Sequence, residues 1–163
     1  MVLNLTGVFA GGEDLPFETS LDLSDLDFSG NFPFKSPVLI KGIASNKAGI
    51  VMIDLTAEYS FCAPCDLCAN EVVREEKLPL TYVVVQSLEG EDTEDFVLAE
   101  DMKVDINNLV RDDIILRVPM KFLCSPDCKG ICPICGKNLN DGECGCKSSS
   151  IDPRLEALKG FFD

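Results

Sequence analysis

The chain contains no histidine among its 163 residues. That absence excludes a Cys-His or Ser-His nucleophile and any metal site built from two cysteines and two histidines. It also lacks an uninterrupted apolar run of about 18 residues, the length a membrane helix needs. No glycine-rich phosphate loop follows an apolar strand, Gly11-Gly12 reading only as a turn. The start, Met1-Val2-Leu3-Asn4-Leu5-Thr6, has neither the basic segment nor the apolar length of a signal peptide, so a reducing, cytoplasmic setting is expected. Carboxylates are plentiful, but Glu75-Glu76 and Asp112-Asp113 are sequence neighbours whose side chains diverge on a strand or helix. They read as solvated faces. Neither membrane association, a small-molecule substrate nor an enzymatic activity is expected.

Positive charge is scarce: 14 Lys and Arg stand against 28 Asp and Glu, a formal net charge of −14. The imbalance is uneven. Residues 1–102 hold 5 basic and 19 acidic side chains, whereas residues 103–147 hold 7 and 6. An acidic body repels phosphate and suits a basic protein partner, so any contact with nucleic acid falls to the later segment. The acidic stretch Glu89–Asp95 reads as a solvated connection.

What the chain does have is cysteine, nine in all. In a reducing compartment an odd set of thiols points to metal or redox chemistry, not to a disulfide framework. Six of them, Cys124, Cys128, Cys132, Cys135, Cys144 and Cys146, lie among turn formers with little apolar side chain to bury. Such a segment orders only with a staple. The run Cys132-Pro133-Ile134-Cys135-Gly136 is a zinc knuckle by spacing: two thiolates three residues apart reach one tetrahedral ion, and Gly136 permits the tight turn after them. Cys132 and Cys135 are the securest ligands, with partners from either Cys144 and Cys146 or Cys124 and Cys128. The spacing lacks the compactness of ferredoxin-type iron–sulfur runs, which makes Zn2+ the expected ion.

Cys62, Cys65 and Cys68 form a second group with three readings: a redox pair, half of a second metal site completed from the tail, or packed reduced thiols. Redox catalysis is disfavoured because no helix opens after the motif and no cation adjoins it, while Glu71, Glu75 and Glu76 crowd the same region.

Short stretches rich in Val, Ile, Leu, Phe and Thr near 16–23, 32–44, 48–60, 70–75 and 78–86 predict a strand meander, with a hairpin turn at Ser45–Ala48 and a strand starting at Pro79. Asp105 is placed to cap a helix over about 106–117, with Ile106, Leu109, Val110 and Ile114 on one face and Pro119 ending it. Asp152 and Pro153 mark a terminal helix to about Phe162, after a serine linker. The fold class is therefore α+β. A mostly antiparallel β body with one amphipathic helix spans 1–119, a Cys-rich zinc module 120–147, and a linker and terminal helix 148–163.

The stretch Leu123-Cys124-Ser125-Pro126-Asp127-Cys128-Lys129-Gly130-Ile131-Cys132-Pro133-Ile134-Cys135-Gly136, followed by Cys144-Gly145-Cys146 and Ile151-Asp152-Pro153-Arg154-Leu155, resembles the YceD-like family, the large ribosomal RNA subunit accumulation proteins. The resemblance extends upstream through Arg111–Pro119 to Cys65-Asp66-Leu67-Cys68, with Leu67 where that family usually has arginine, and weakens before about Pro37. It implies a part in 23S rRNA accumulation and large-subunit assembly. The missing catalytic machinery makes that part a non-catalytic one, and the charge distribution gives precursor rRNA or a basic ribosomal protein as partner. On that reading the charge distribution assigns direct RNA contact to Lys121, Lys129, Lys137 and Lys147, with Arg117. A zinc-dependent protein-binding regulatory module is the alternative, and a Cys-x-x-Cys thiol oxidoreductase a weaker one.

Overall fold

Alternation at period two runs through Val51, Ile53, Leu55, Ala57, Phe61 and Ala63, all buried, and a chain patterned in this way buries one face of a strand while leaving the other wet. The computed structural model describes residues 1–28, 30–87, 96–119 and 121–146. In it, that stretch belongs to β4 (Ile50–Pro64), the centre of a sheet with β2 (Leu15–Leu21), β3 (Val38–Lys47), β5 (Glu71–Val85) and β6 (Phe96–Leu98). The order is β2-β3-β4-β5-β6, antiparallel except for β6, which runs parallel to β5 at Val83–Val85. A second, two-stranded ladder joins β1 (Val2–Asn4) to β7 (Lys103–Asp105), and a short helix α1 (Thr6–Phe9) follows β1.

Helix α2 (Ile106–Arg117) packs Ile106, Val110 and Ile114 onto the sheet, each fully buried, with Leu109 at the margin. Its start is fixed as the sequence suggests: the Asp105 carboxylate accepts from the Asn107 amide at 3.1 Å. The core is completed by Leu5, Val38, Ile40 and Ile53, all at 0% exposure. The apolar N-terminal residues thus close one end of the fold, a use that a three-residue strand does not announce in sequence. No described helix is long and apolar enough to cross a membrane.

Several strand boundaries differ from expectation. β3 starts only at Val38, because Pro33 and Pro37 lack the amide a ladder needs; Phe34 makes an isolated bridge to Phe61. The turn after β3 is not Ser45–Ala48. Lys47 pairs with Ile50, so Ala48 and Gly49 form a two-residue loop at φ 57° and 90°, which matches the twist of the flanking strands. The two stretches at 70–75 and 78–86 form one continuous strand, β5, with Pro79 opposite Thr56 in its middle. Proline is tolerated there because β6 meets β5 only at Val83–Val85, leaving Pro79 on an open edge among the described residues. The expected linker, the terminal helix, Lys147 and the acidic stretch 89–95 lie outside the described residues.

The far end of the β4–β5 hairpin carries an aromatic cluster. Phe34 meets Phe61 edge-on at 5.6 Å between centroids, and Phe61 meets Phe122 at 4.8 Å. Phe122 lies just ahead of the first tail cysteine, so this cluster joins the sheet to the cysteine-rich segment.

Candidate metal centres

The hairpin loop after β4 and the tail from 124 to 146 bring eight of the nine cysteines into two groups of four. Cys65, Cys68, Cys124 and Cys128 form the first, and Cys132, Cys135, Cys144 and Cys146 the second. Within each group all Sγ atoms lie within 4.8 Å of one another. In the first, Cys65 and Cys128 are 3.8 Å apart, and Cys68 and Cys124 3.6 Å. Four sulfurs about 2.3 Å from a tetrahedral ion sit roughly 3.8 Å apart, so the donor set and its spacing fit a four-cysteine metal centre.

Both groups are built on the same turn. In the first, the Cys65 amide donates to the Asn70 carbonyl and the Ala69 amide to the Cys65 carbonyl, each at 2.8 Å. In the second, the Cys132 amide donates to the Lys137 carbonyl and the Gly136 amide to the Cys132 carbonyl, again at 2.8 Å. The residue after each Cys-x-x-Cys takes a left-handed conformation, Ala69 at φ 59° and Gly136 at φ 73°. The shared spacing is thus a shared fold.

These turns aim amides at sulfur. At Cys65 burial opposes ionisation, yet the amides of Cys124, Cys68 and Leu67 outweigh it and bring the thiol down to about 6. The amides of Cys135 and Ile134 do the same for Cys132, also to about 6. The remaining thiols feel their neighbours. Cys124 is pushed up to about 12 by Cys128 and Cys68, and Cys146 to about 12 by Cys135 and burial. Each group is therefore primed to lose some protons and, without a cation, resists losing the rest. The absence of nearby cations had suggested no thiolate stabilisation at Cys65; backbone amides supply it instead.

The two groups are linked. Asn140, in the short 3-10 turn Leu139–Asp141 between the second group's cysteine pairs, reaches the first: its side-chain Nδ2 donates to Cys128 Sγ at 3.3 Å. Its Oδ1 accepts from the Lys129 amide at 2.8 Å. Asn140 is the leading cause of a lowered Cys128 pKa. On the other side, the Ile131 amide donates to the Leu67 carbonyl at 3.1 Å. The segment 128–131 is thus held between the two thiolate groups.

Asp66, between Cys65 and Leu67, clamps the tail to the body. Its carboxylate accepts from the Phe122 amide at 2.7 Å, and its amide donates to the Phe122 carbonyl at 2.9 Å. Arg74 of β5 adds a third link, donating to the Leu123 carbonyl at 2.7 Å with its guanidinium 4.8 Å from the centre of the Phe122 ring. Asn140, Asp66, Phe122 and Arg74 had no signal in the cysteine spacing, since each acts through contacts distant in sequence.

Cys62 lies outside both groups. It alternates with the buried Phe61 and Ala63 to the opposite face of β4 and pairs with Val73. Cys124 and Cys128, open as partners of Cys132, fall with Cys65 and Cys68 instead. Lys121, Lys129, Lys137 and Arg117 are all exposed, with Lys137 donating to the Glu143 carbonyl at 3.0 Å.

Comparison with known proteins gives a consistent picture. The family described as large ribosomal RNA subunit accumulation protein YceD matches residues 53–162. A maize chloroplastic protein, large ribosomal RNA subunit accumulation protein YCED homolog 1, is 42% identical over 65 residues, 39% of this chain and 22% of that protein. The Arabidopsis thaliana homolog 1 is 36% identical over 50 residues, 31% of this chain and 16% of that protein. YlbN of Bacillus subtilis, whose function is uncharacterized, is 27% identical over 150 residues, covering 90% of this chain and 87% of that one. The matched regions therefore take in only a minor part of the two plant proteins. No solved structure matches the chain.

Proposed function

The chain belongs to the YceD family of large ribosomal RNA subunit accumulation proteins, and from that premise we propose that it is a non-catalytic, zinc-stapled factor that supports accumulation of large-subunit rRNA. The observation that carries the metal part is the pair of four-thiolate groups with matching turns. Zn2+ suits them because an all-sulfur, tetrahedral donor set with no open position is the pattern of structural zinc. When bound, the ion would neutralise thiolates that otherwise repel one another and hold the tail against the body. Cys65, Cys68, Cys124 and Cys128 would anchor the tail; Cys132, Cys135, Cys144 and Cys146 would order its loop.

A thiol oxidoreductase needs an accessible nucleophile, whereas Cys65 and Cys68 are only 2% and 4% exposed and are crowded by two further thiols. That argues for ligation over turnover. The acidic body, whose residues 1–102 carry a net −14, favours a basic ribosomal protein as a neighbour during assembly. Direct contact with precursor rRNA would fall to the less acidic segment bearing Lys121, Lys129, Lys137, Lys147 and Arg117. Depleting the protein in its own cells and measuring the ratio of large- to small-subunit rRNA tests the role. A fall in the large-subunit share, restored by the wild-type gene, is expected; an unchanged ratio refutes it.

A further inference from the structure

A cavity of about 330 Å³ is bounded by the β4–β5 hairpin, the end of α2 and Phe122, the residue whose amide Asp66 holds. Its size is at the lower end of the roughly 300–1,000 Å³ usual for small-ligand sites. Its walls include the aromatic rings of Tyr59, Phe61 and Phe122, and its rim carries Arg74, Lys77 and Arg117. Glu76 is the only acidic residue in that lining. Lys77 and Arg117 are met by Glu58 and Asp113 outside that lining, which leaves Arg74 as the lining cation without an ion pair among the described residues.

The guanidinium of Arg74 is set in place by two contacts. It lies 4.8 Å from the Phe122 ring centre, its Nη2 donates to the Leu123 carbonyl at 2.7 Å, and it makes no ion pair among the described residues. An arginine guanidinium is planar and stacks on flat, π-rich groups. Unpaired nucleobases are bound in this way, on aromatic rings and arginine planes, with nearby cations taking the phosphates. Lys77 and Arg117 are exposed at the rim, although each also has an acidic neighbour, Glu58 at 2.7 Å and Asp113 at 3.8 Å.

We propose that this cavity binds one unpaired nucleotide of RNA, its base stacked on Arg74 and its phosphates met by Arg117 and Lys77. The inference deepens the rRNA role proposed above and rests on it. It also gives the first thiolate group a purpose, because Asp66, inside the Cys65–Cys68 turn, holds the Phe122 backbone through its carboxylate and its amide. The ion would thus hold the wall on which Arg74 rests. Few phosphates are within reach, so affinity is modest and the salt dependence shallow.

The test is fluorescence anisotropy of the full-length, zinc-loaded protein with a labelled single-stranded oligoribonucleotide of mixed sequence and with its duplex. The single strand should bind more tightly. Arg74→Lys keeps the charge but loses the plane, and should weaken single-strand binding about tenfold with the circular dichroism spectrum unchanged. Arg117→Gln should lower the salt slope by about one phosphate contact. Equal binding of duplex and single strand, wild-type affinity in Arg74→Lys, or no RNA binding at all would overturn the proposal, as would occupancy of the cavity by a protein segment. The two readings separate in cells: normal large-subunit rRNA with Arg74→Lys, when whole-protein depletion lowers it, defeats the cavity alone. Loss of RNA binding in vitro with no effect of depletion defeats the rRNA role.

Discussion

Replacing Asn140 with alanine should loosen the first thiolate group while leaving the second nearly untouched. The side chain makes three contacts: to Cys128 Sγ at 3.3 Å, from the Lys129 amide at 2.8 Å, and to Asn138 Oδ1 at 2.8 Å. The first is made to a group that is negative when ligating, and outer partners of this kind change metal affinity by about 10–100-fold when removed. Asn140 is exposed, so water replaces part of what is lost, and the low end, about tenfold, is expected. The measurement is chelator extraction from zinc-loaded protein, followed by a coloured zinc indicator. Wild type should release both ions slowly; Asn140→Ala should release one of the two about ten times faster. Asn140→Asp decides the cause. It keeps an acceptor for the Lys129 amide but turns a carboxylate toward the sulfur, so it should be worse than alanine if the bond to sulfur matters. Wild-type release from both variants would refute the link between the groups, and wild-type release from Asn140→Asp alone would show that only the loop contact counts.

Two further outcomes concern the body. Phe34, 1% exposed and packed against Phe28, Tyr59 and Phe61, should cost about 3–5 kcal/mol when cut to alanine, read from urea unfolding; a loss below about 1 kcal/mol would contradict its place in the core. Asp105→Ala removes the cap on the Asn107 amide and should cost about 1 kcal/mol by the same assay, whereas a neutral result would mean water caps α2 equally well.

Local features were legible in the sequence and distant ones were not. Asp105 and the Ile106, Val110 and Ile114 spacing announce α2 because cap and face lie within a few residues. The Cys132 turn is legible for the same reason. The Cys62–Cys68 group is legible as half of a metal site completed from the tail, but its pairing with Cys124 and Cys128 spans 56 to 63 residues, and spacing does not reveal which tail cysteines complete it. The tail alone also offered two pairs of partners for Cys132 and Cys135; only the folding of residues 136–143 back on the knuckle favours Cys144 and Cys146. Pro79 misled for a physical reason, since a proline inside a strand is acceptable where its nitrogen faces an unpaired edge, and neighbouring sequence does not reveal which strands lie at an edge.

The account stands most directly on metal content, measured by native mass spectrometry with elemental analysis of the full-length protein. Two zinc ions per chain are expected, one remaining in Cys68→Ser and one in Cys135→Ser, because each substitution removes a ligand from only one group. A wild-type chain that folds without metal, with all nine cysteines titrating as free thiols, would contradict the account.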